Sequence, residues 1–165
     1  GGQYDIGASG LTITDERKAS VDFTTPVLQF ALSIVTKNDN TDIKNEGDLE
    51  NKKVGAQLGS TCQFACEDIG LTVSTYDEAP SAVLDLANGN LDAVVLDSVV
   101  AEDFVLTNDN YSKVLKIAGS FENSDDMGMA VKKGNTELLS ILNEGLKKVS
   151  ENGKMNELKA KYGLK

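Results

Sequence analysis

Three short stretches of this chain carry side chains able to hold a small charged molecule. Arg17 lies in "SGLTITDERKASVDFTTP", residues 9–26, and its planar guanidinium offers a two-pronged grip on a carboxylate. Gly59-Ser60-Thr61 sits between a predicted strand, "KVGAQ", and a predicted helix. The first turn of a helix leaves N–H groups without partners and carries partial positive charge, so small residues there suit an anion. Asp97 ends the apolar strand "DAVVL", at the strand edge where ligands of an open parallel sheet collect, and offers an acceptor for an ammonium group. Each has a plainer reading: Arg17 as a solubilising surface residue, Ser60 or Thr61 as an ordinary helix cap, Asp97 as the cap of the next helix. Taken as a set, they match the two ends of a free α-amino acid.

Other chemistries are excluded by what the chain lacks. It has no histidine, which removes serine–His and Cys–His catalysis and the commonest zinc ligand together. Cys62 and Cys66, four apart in "TCQFACED", supply too few ligands for zinc. On a helix they share one face, and they read as two free thiols, with a strained local disulfide as the alternative. No metal and no cofactor is expected. The Gly59 turn is not a nucleotide-binding loop, since GxxxxGK[ST] is absent.

At 165 residues the length fits one domain with a full core, and the 40% apolar and 25% charged fractions are those of a folded globular protein. No apolar run approaches the roughly 18 residues of a membrane span. The net charge of -10 comes from acidic residues scattered among apolar segments, which argues against a nucleic-acid partner. The opening "GGQYDIGASG" has neither the basic nor the apolar region of a signal peptide, so an exported form is expected to be a trimmed one.

From about residue 52, short apolar runs alternate with helix-like segments. "KVGAQ", "LTVSTY" and "LDAVVL" read as strands, and helices follow them over about 61–69, 79–88 and 98–107. This is the βαβ pattern of an α/β fold with a mainly parallel sheet. "SKVLKIAG" and "DMGMAVKK" read as two more strands. A helix capped by Asn135 follows, with Leu138, Leu142, Leu146 and Val149 in one stripe, and a last helix carries Leu158 and Tyr162. Before residue 52 the chain reads as a first strand "YDIGAS", a turn or short helix "TDERKAS", the long strand "VLQFALSIVTK", and a polar stretch over 38–51 that is the one linker candidate.

With these pieces in order, the chain resembles the solute-binding proteins of amino-acid ABC importers, the family 3 type II periplasmic binding proteins. The segment "GLTITDERKASVDFTTP" is similar to the family's small-x-[ST]-x-T-x-x-R followed by V-x-F-[ST]-x-P. "DLENKKVGAQLGST" is similar to D-L-x-G-K-x-V-G-x-x-x-G-[ST]-T, and "LANGNLDAVVLDSVVA" to L-x-x-G-x-x-D-A-x-x-x-D. The stretch from "MGMAVKKGNTELL" to "LKAKYG" is similar to its closing strand and helices. Asn51 stands where the family has Gly, and Cys62 at a position that in relatives often faces the ligand.

The resemblance implies that Arg17 grips the ligand α-carboxylate, assisted by the Thr61 N–H and a Ser60 or Thr61 hydroxyl. Asp97 would receive the α-ammonium, together with the Gly10 carbonyl and the Thr12 hydroxyl. It implies an extracytoplasmic binding protein, periplasmic or lipid-anchored, that is not an enzyme, takes an amino acid of polar type, and hands it to an ABC permease. The family's chains begin with a further β-α-β-α segment of the first lobe. The fold expected here is therefore one complete α/β lobe, residues 37–126, between remnants of the other lobe at 1–36 and 127–165. "VLQFALSIVTK" and "MGMAVKK" would be the hinge strands, and the chain as given would bind ligand weakly or not at all. Exposed first-lobe remnants would favour a homodimer. Two alternatives share the fold: a ligand-sensing receptor domain, and a cyclohexadienyl dehydratase-like enzyme using Asp97, Asp125 or Asp126 as its acid.

Overall fold

A computed structural model describes residues 3–161. The chain runs β1 (Ile6–Gly7), α1 (Asp15–Ser20), β2 (Val21–Phe23), β3 (Leu28–Lys37), a 3₁₀ turn (Glu46–Leu49), β4 (Val54–Gln57), α2 (Thr61–Asp68) and β5 (Val73–Tyr76). There follow α3 (Ala79–Ala87), β6 (Ala93–Asp97), α4 (Ser98–Glu102), a π turn (Asp103–Thr107), β7 (Leu115–Met127), β8 (Ala130–Lys132), α5 (Thr136–Glu151) and α6 (Lys154–Lys161). Tyr162, expected in the last helix, lies outside the described residues. The chain forms two compact units, Gly1–Gln29 with Asp125–Lys165, and Phe30–Ser124. The breaks between them, at 29/30 and 124/125, fall inside β3 and β7, where the sequence placed them at 36/37 and 126/127.

The Phe30–Ser124 unit is built on a five-stranded sheet in the order β5-β4-β6-β3-β7. β4 runs parallel to β5 and to β6, and β3 is antiparallel to β6. β6 is central, and its Ala93 to Leu96 are all buried, which is why it reads as an unbroken apolar run instead of an alternating one. Helix α3 starts with Pro80 in its first turn, where the missing N–H costs nothing. It turns Ala82, Val83 and Leu86 onto the sheet, where they pack with Val35, Val94 and Leu115. At the sheet edge, the Tyr76 hydroxyl donates to Asp85 (2.7 Å) and the Asn90 amide to the other Asp85 oxygen (3.1 Å), tying β5 to α3.

These two donors hold the Asp85 carboxyl below its ordinary range, while burial and the bond to Asp85 push Tyr76 up to about 12. A carboxyl lowered by folding stabilises the fold above its unfolded value and loses that contribution as the pH falls through the lowered one. Asp85→Asn is therefore expected to flatten the acid limb of stability between about pH 5 and 2, read as urea midpoints across that range. An acid limb as steep as that of the parent would contradict the link.

Three sequence expectations change. The polar stretch over 38–51 is part of this unit and not a linker: Ile43 and Leu49 are buried, and Lys116 Nζ donates to the Asn38 and Asn40 carbonyls. Asn51 closes that stretch at φ 60°, a left-handed conformation that Asn tolerates better than most residues other than Gly. The helix expected over 98–107 is α4 followed by a π turn, in which the Asn108 N–H reaches the Asp103 carbonyl at 3.1 Å. Finally, the chain passes into the other unit within β7, ahead of "MGMAVKK", because β8 pairs on both sides inside the first unit.

The Gly1–Gln29 and Asp125–Lys165 unit has a three-stranded antiparallel sheet, β1-β8-β2, so the first strand finds its partner late in the sequence. The Asn135 side chain caps α5 by accepting from the Leu138 N–H at 3.3 Å. Asn143 on α5 accepts from the Thr25 N–H at 2.8 Å and holds the helix to the turn after β2. None of the α5 side chains is fully buried.

Candidate functional site

Arg17 stands in the first unit, on α1. Thr14 caps that helix by accepting from the Arg17 N–H at 3.2 Å, which starts the turn. The guanidinium Nη1 donates to the Thr12 carbonyl at 3.0 Å. Thr12 is itself 2% exposed and bridges Met127 in antiparallel register, while the Ile13 N–H donates to the Asp126 carbonyl at 2.8 Å. Gly10 precedes this at φ 64° and is exposed. The end of β7 thus holds the strand-like segment Leu11–Ile13, and Arg17 leans back on it. Asp125 is also close enough to feel the guanidinium. Burial and the neighbouring Asp126 push its carboxyl above the ordinary range, and Arg17 offsets part of that rise.

The second group lies in the Phe30–Ser124 unit. Ser60 is the cap of α2: its hydroxyl accepts from the Gln63 N–H at 3.2 Å and donates to the Gln57 carbonyl at 2.7 Å. The plain reading of Ser60 as a cap therefore holds. Thr61 opens the helix, and Cys62 follows on its buried side, one turn ahead of Cys66. Asp97 ends β6 at the cap position of α4, yet its side chain makes no capping bond to that helix. The Cys62 thiol instead donates to Asp97 Oδ1 at 3.5 Å.

Gly10, Thr12 and Arg17 are brought together in one unit, and Ser60, Thr61 and Asp97 in the other. Two further contacts are not readable from the sequence. Asp125 joins the Arg17 group only through the register of β7, and Cys62 touches Asp97 across 35 positions, so no local spacing signals either contact. Among the described residues, no cluster of three or more His, Cys, Asp or Glu is arranged to hold a metal ion, and no helix is long and apolar enough to cross a membrane.

Both cysteines are free and buried. Burial first, then the Asp97 charge, push the Cys62 thiol up, and burial with Glu67 pushes Cys66 up to about 12. The thiolate is the reactive form, so both groups are unreactive near neutral pH. We expect Ellman's reagent to find no thiol in the folded protein and two after denaturation. Fast release from the native state would contradict the packing.

The sequence profile of the bacterial extracellular solute-binding proteins, family 3, matches residues 1–165. The chain is 33% identical over 164 residues to the L-cystine-binding protein TcyJ of Escherichia coli (strain K12), covering 97% of this chain and 60% of that protein. It is 35% identical over 168 residues to the L-arginine-binding protein of Pseudomonas aeruginosa, covering 97% of this chain and 65% of that one. Among solved structures, an ancestral arginine-binding protein bound to arginine superposes with a TM-score of 0.88 at 38% identity, over 98% of this chain and 72% of that one. The chain thus spans less than two thirds of the length of these two curated relatives.

Proposed function

The chain belongs to the bacterial extracellular solute-binding proteins, family 3, and from that premise we propose that it takes the α-carboxylate of a free amino acid on Arg17 and the α-ammonium on Asp97, for delivery to an ABC importer. The observation that carries this reading is the place of Asp97, a carboxylate at the end of a buried central strand, where ligands of open α/β sheets collect. The guanidinium of Arg17, the chain's one arginine, supplies the opposite charge. The Thr61 N–H assists Arg17, and the Gly10 carbonyl and Thr12 hydroxyl assist Asp97. A Ser60 or Thr61 hydroxyl assists Arg17 as well. Arginine, cystine and histidine, after which curated relatives are named, are the first ligands to try.

In this proposal the ligand is carried unchanged, and no residue is assigned a covalent step. The ligand favours whichever arrangement engages both of its ends, by its differential affinity for that state, and the importer reads the result. β3 and β7, through which the chain passes from one unit to the other, serve as the hinge. The protein works outside the cytoplasmic membrane, in a periplasm or anchored to a cell surface.

A thermal-shift screen of the common amino acids and cystine, run on a protein in which both lobes are complete, tests the reading. A ligand at a hundredfold its Kd stabilises the fold by about 2.7 kcal/mol, a shift of several degrees. Stabilisation by at least one polar amino acid is expected. Indifference to all of them overturns the proposal.

Self-association completes it. Helix α5 bears the stripe Leu138, Leu142, Leu146 and Val149, with none of them fully buried and the neighbouring Ile141 60% exposed. A second copy of the chain is the proposed cover for this face. Light scattering is expected to give the mass of a dimer, and Leu142→Glu to return it to a monomer; a monomeric parent protein would remove this part.

A further inference from the structure

We infer that Cys62 is a positioning residue for Asp97: its thiol donates to the Asp97 carboxylate and sets the orientation in which that carboxylate meets the ligand ammonium. The inference rests on the ligand reading above.

The contact joins a buried side chain of α2 to the carboxylate at the end of β6. Cys62 is 4% exposed and lies in the first turn of α2, facing the sheet with Cys66. Asp97 closes β6, whose preceding residues Ala93 to Leu96 are all buried. The thiol stands 3.5 Å from Asp97 Oδ1, within the reach of an S–H donor, and the Asp97 side chain makes no capping bond to α4. A terminal carboxylate torsion is broad and roughly two-fold, so a donor fixed on a neighbouring helix restricts it. The choice of donor matters. A lysine or arginine here would neutralise the carboxylate and compete with the ligand ammonium, whereas a thiol is a weak, uncharged donor that orients the group and leaves its charge in place. Burial in this position also disfavours the thiolate, so the sulfur keeps its proton and remains a donor near neutral pH.

Infrared spectroscopy tests the bond without a ligand. In a Cys66→Ala protein the remaining S–H stretch belongs to Cys62, and it is expected at the lowered frequency and raised intensity of a thiol donating to a carboxylate. Adding Asp97→Ala returns it to the frequency of a free thiol. A band that does not move with Asp97 overturns the inference, whatever the ligand data.

Calorimetry on a protein with both lobes complete, with whichever of L-arginine, L-histidine and L-cystine binds and with its des-amino analogue, tests the role. Cys62→Ala is expected to weaken amino-acid binding by about fivefold to tenfold, the worth of one weak hydrogen bond to a charged group, and to leave the des-amino analogue unaffected. Cys62→Ser retains a donor and restores most of the affinity. Equal losses for the two ligands, or equal losses in the Ala and Ser variants, show a packing role and overturn the inference. If Asp97→Ala itself binds the amino acid as the parent does while the S–H band still moves, the ligand reading has failed; the thiol–carboxylate bond stands and its positioning role falls.

Discussion

In a protein with both lobes complete, removing either charged end of the proposed site is expected to weaken amino-acid binding by about 2–5 kcal/mol, because truncating one partner of a desolvated charge pair leaves the other without compensation. Arg17→Ala and Asp97→Ala differ in which part of the ligand they cease to recognise. Asp97→Ala loses the ammonium contact, so the protein no longer prefers an amino acid over its des-amino analogue. Arg17→Ala loses the carboxylate contact and so the preference over the amino acid amide. Calorimetric titration of both variants with these three ligands separates the contributions. The assignment fails if either variant loses affinity without the matching loss of selectivity.

The second large effect concerns the fold. Gly119 lies in β7, and a Cβ built there would stand 2.0 Å from the Lys44 carbonyl oxygen and 2.7 Å from its carbon. The obstacle is backbone, and it is pinned. The Lys44 N–H donates to Asp48 at 2.9 Å, and Ile43 and Leu49 on either side are buried. Overpacking of this kind costs about 1–3 kcal/mol and occasionally more, and here the upper end is expected since neither strand nor turn can give way cheaply. At Gly55 the added Cβ would meet Leu91 Cδ1 at 2.6 Å, the far end of a side chain that can change rotamer. Chemical denaturation is therefore expected to rank Gly119→Ala well below Gly55→Ala in stability. The reverse order would contradict the proximity of β7 to the Lys44 turn.

What the sequence made legible follows from which interactions are local. The order β4-α2-β5-α3-β6 is readable because each strand is a short apolar or alternating run closed by a turn, and each helix repeats its apolar residues at helical spacing. The polar stretch over 38–51 misleads because composition hides its two anchors: Ile43 and Leu49 are lone apolar residues among charges, and the Lys116 clasp on Asn38 and Asn40 comes from more than 70 positions away. The π turn after α4 escapes because one extra residue per turn leaves no mark on apolar spacing. For the site, Arg17 and Asp97 stand out by charge type and by their place at strand and helix ends. The plain cap reading proved correct for Ser60 and does not apply to Asp97, a difference decided by where two side chains point and not by their neighbours in sequence. Asp125 beside Arg17 and Cys62 against Asp97 belong to tertiary register, and only coordinates display them.

The central claim is that one zwitterion is held by its two ends, and a crystal structure of the protein grown with a stabilising amino acid tests it most directly. The account predicts the ligand carboxylate within hydrogen-bond distance of the Arg17 guanidinium and the ligand ammonium within the same reach of Asp97. An amino acid bound with its ammonium away from Asp97, or with its carboxylate on a group other than Arg17, contradicts it.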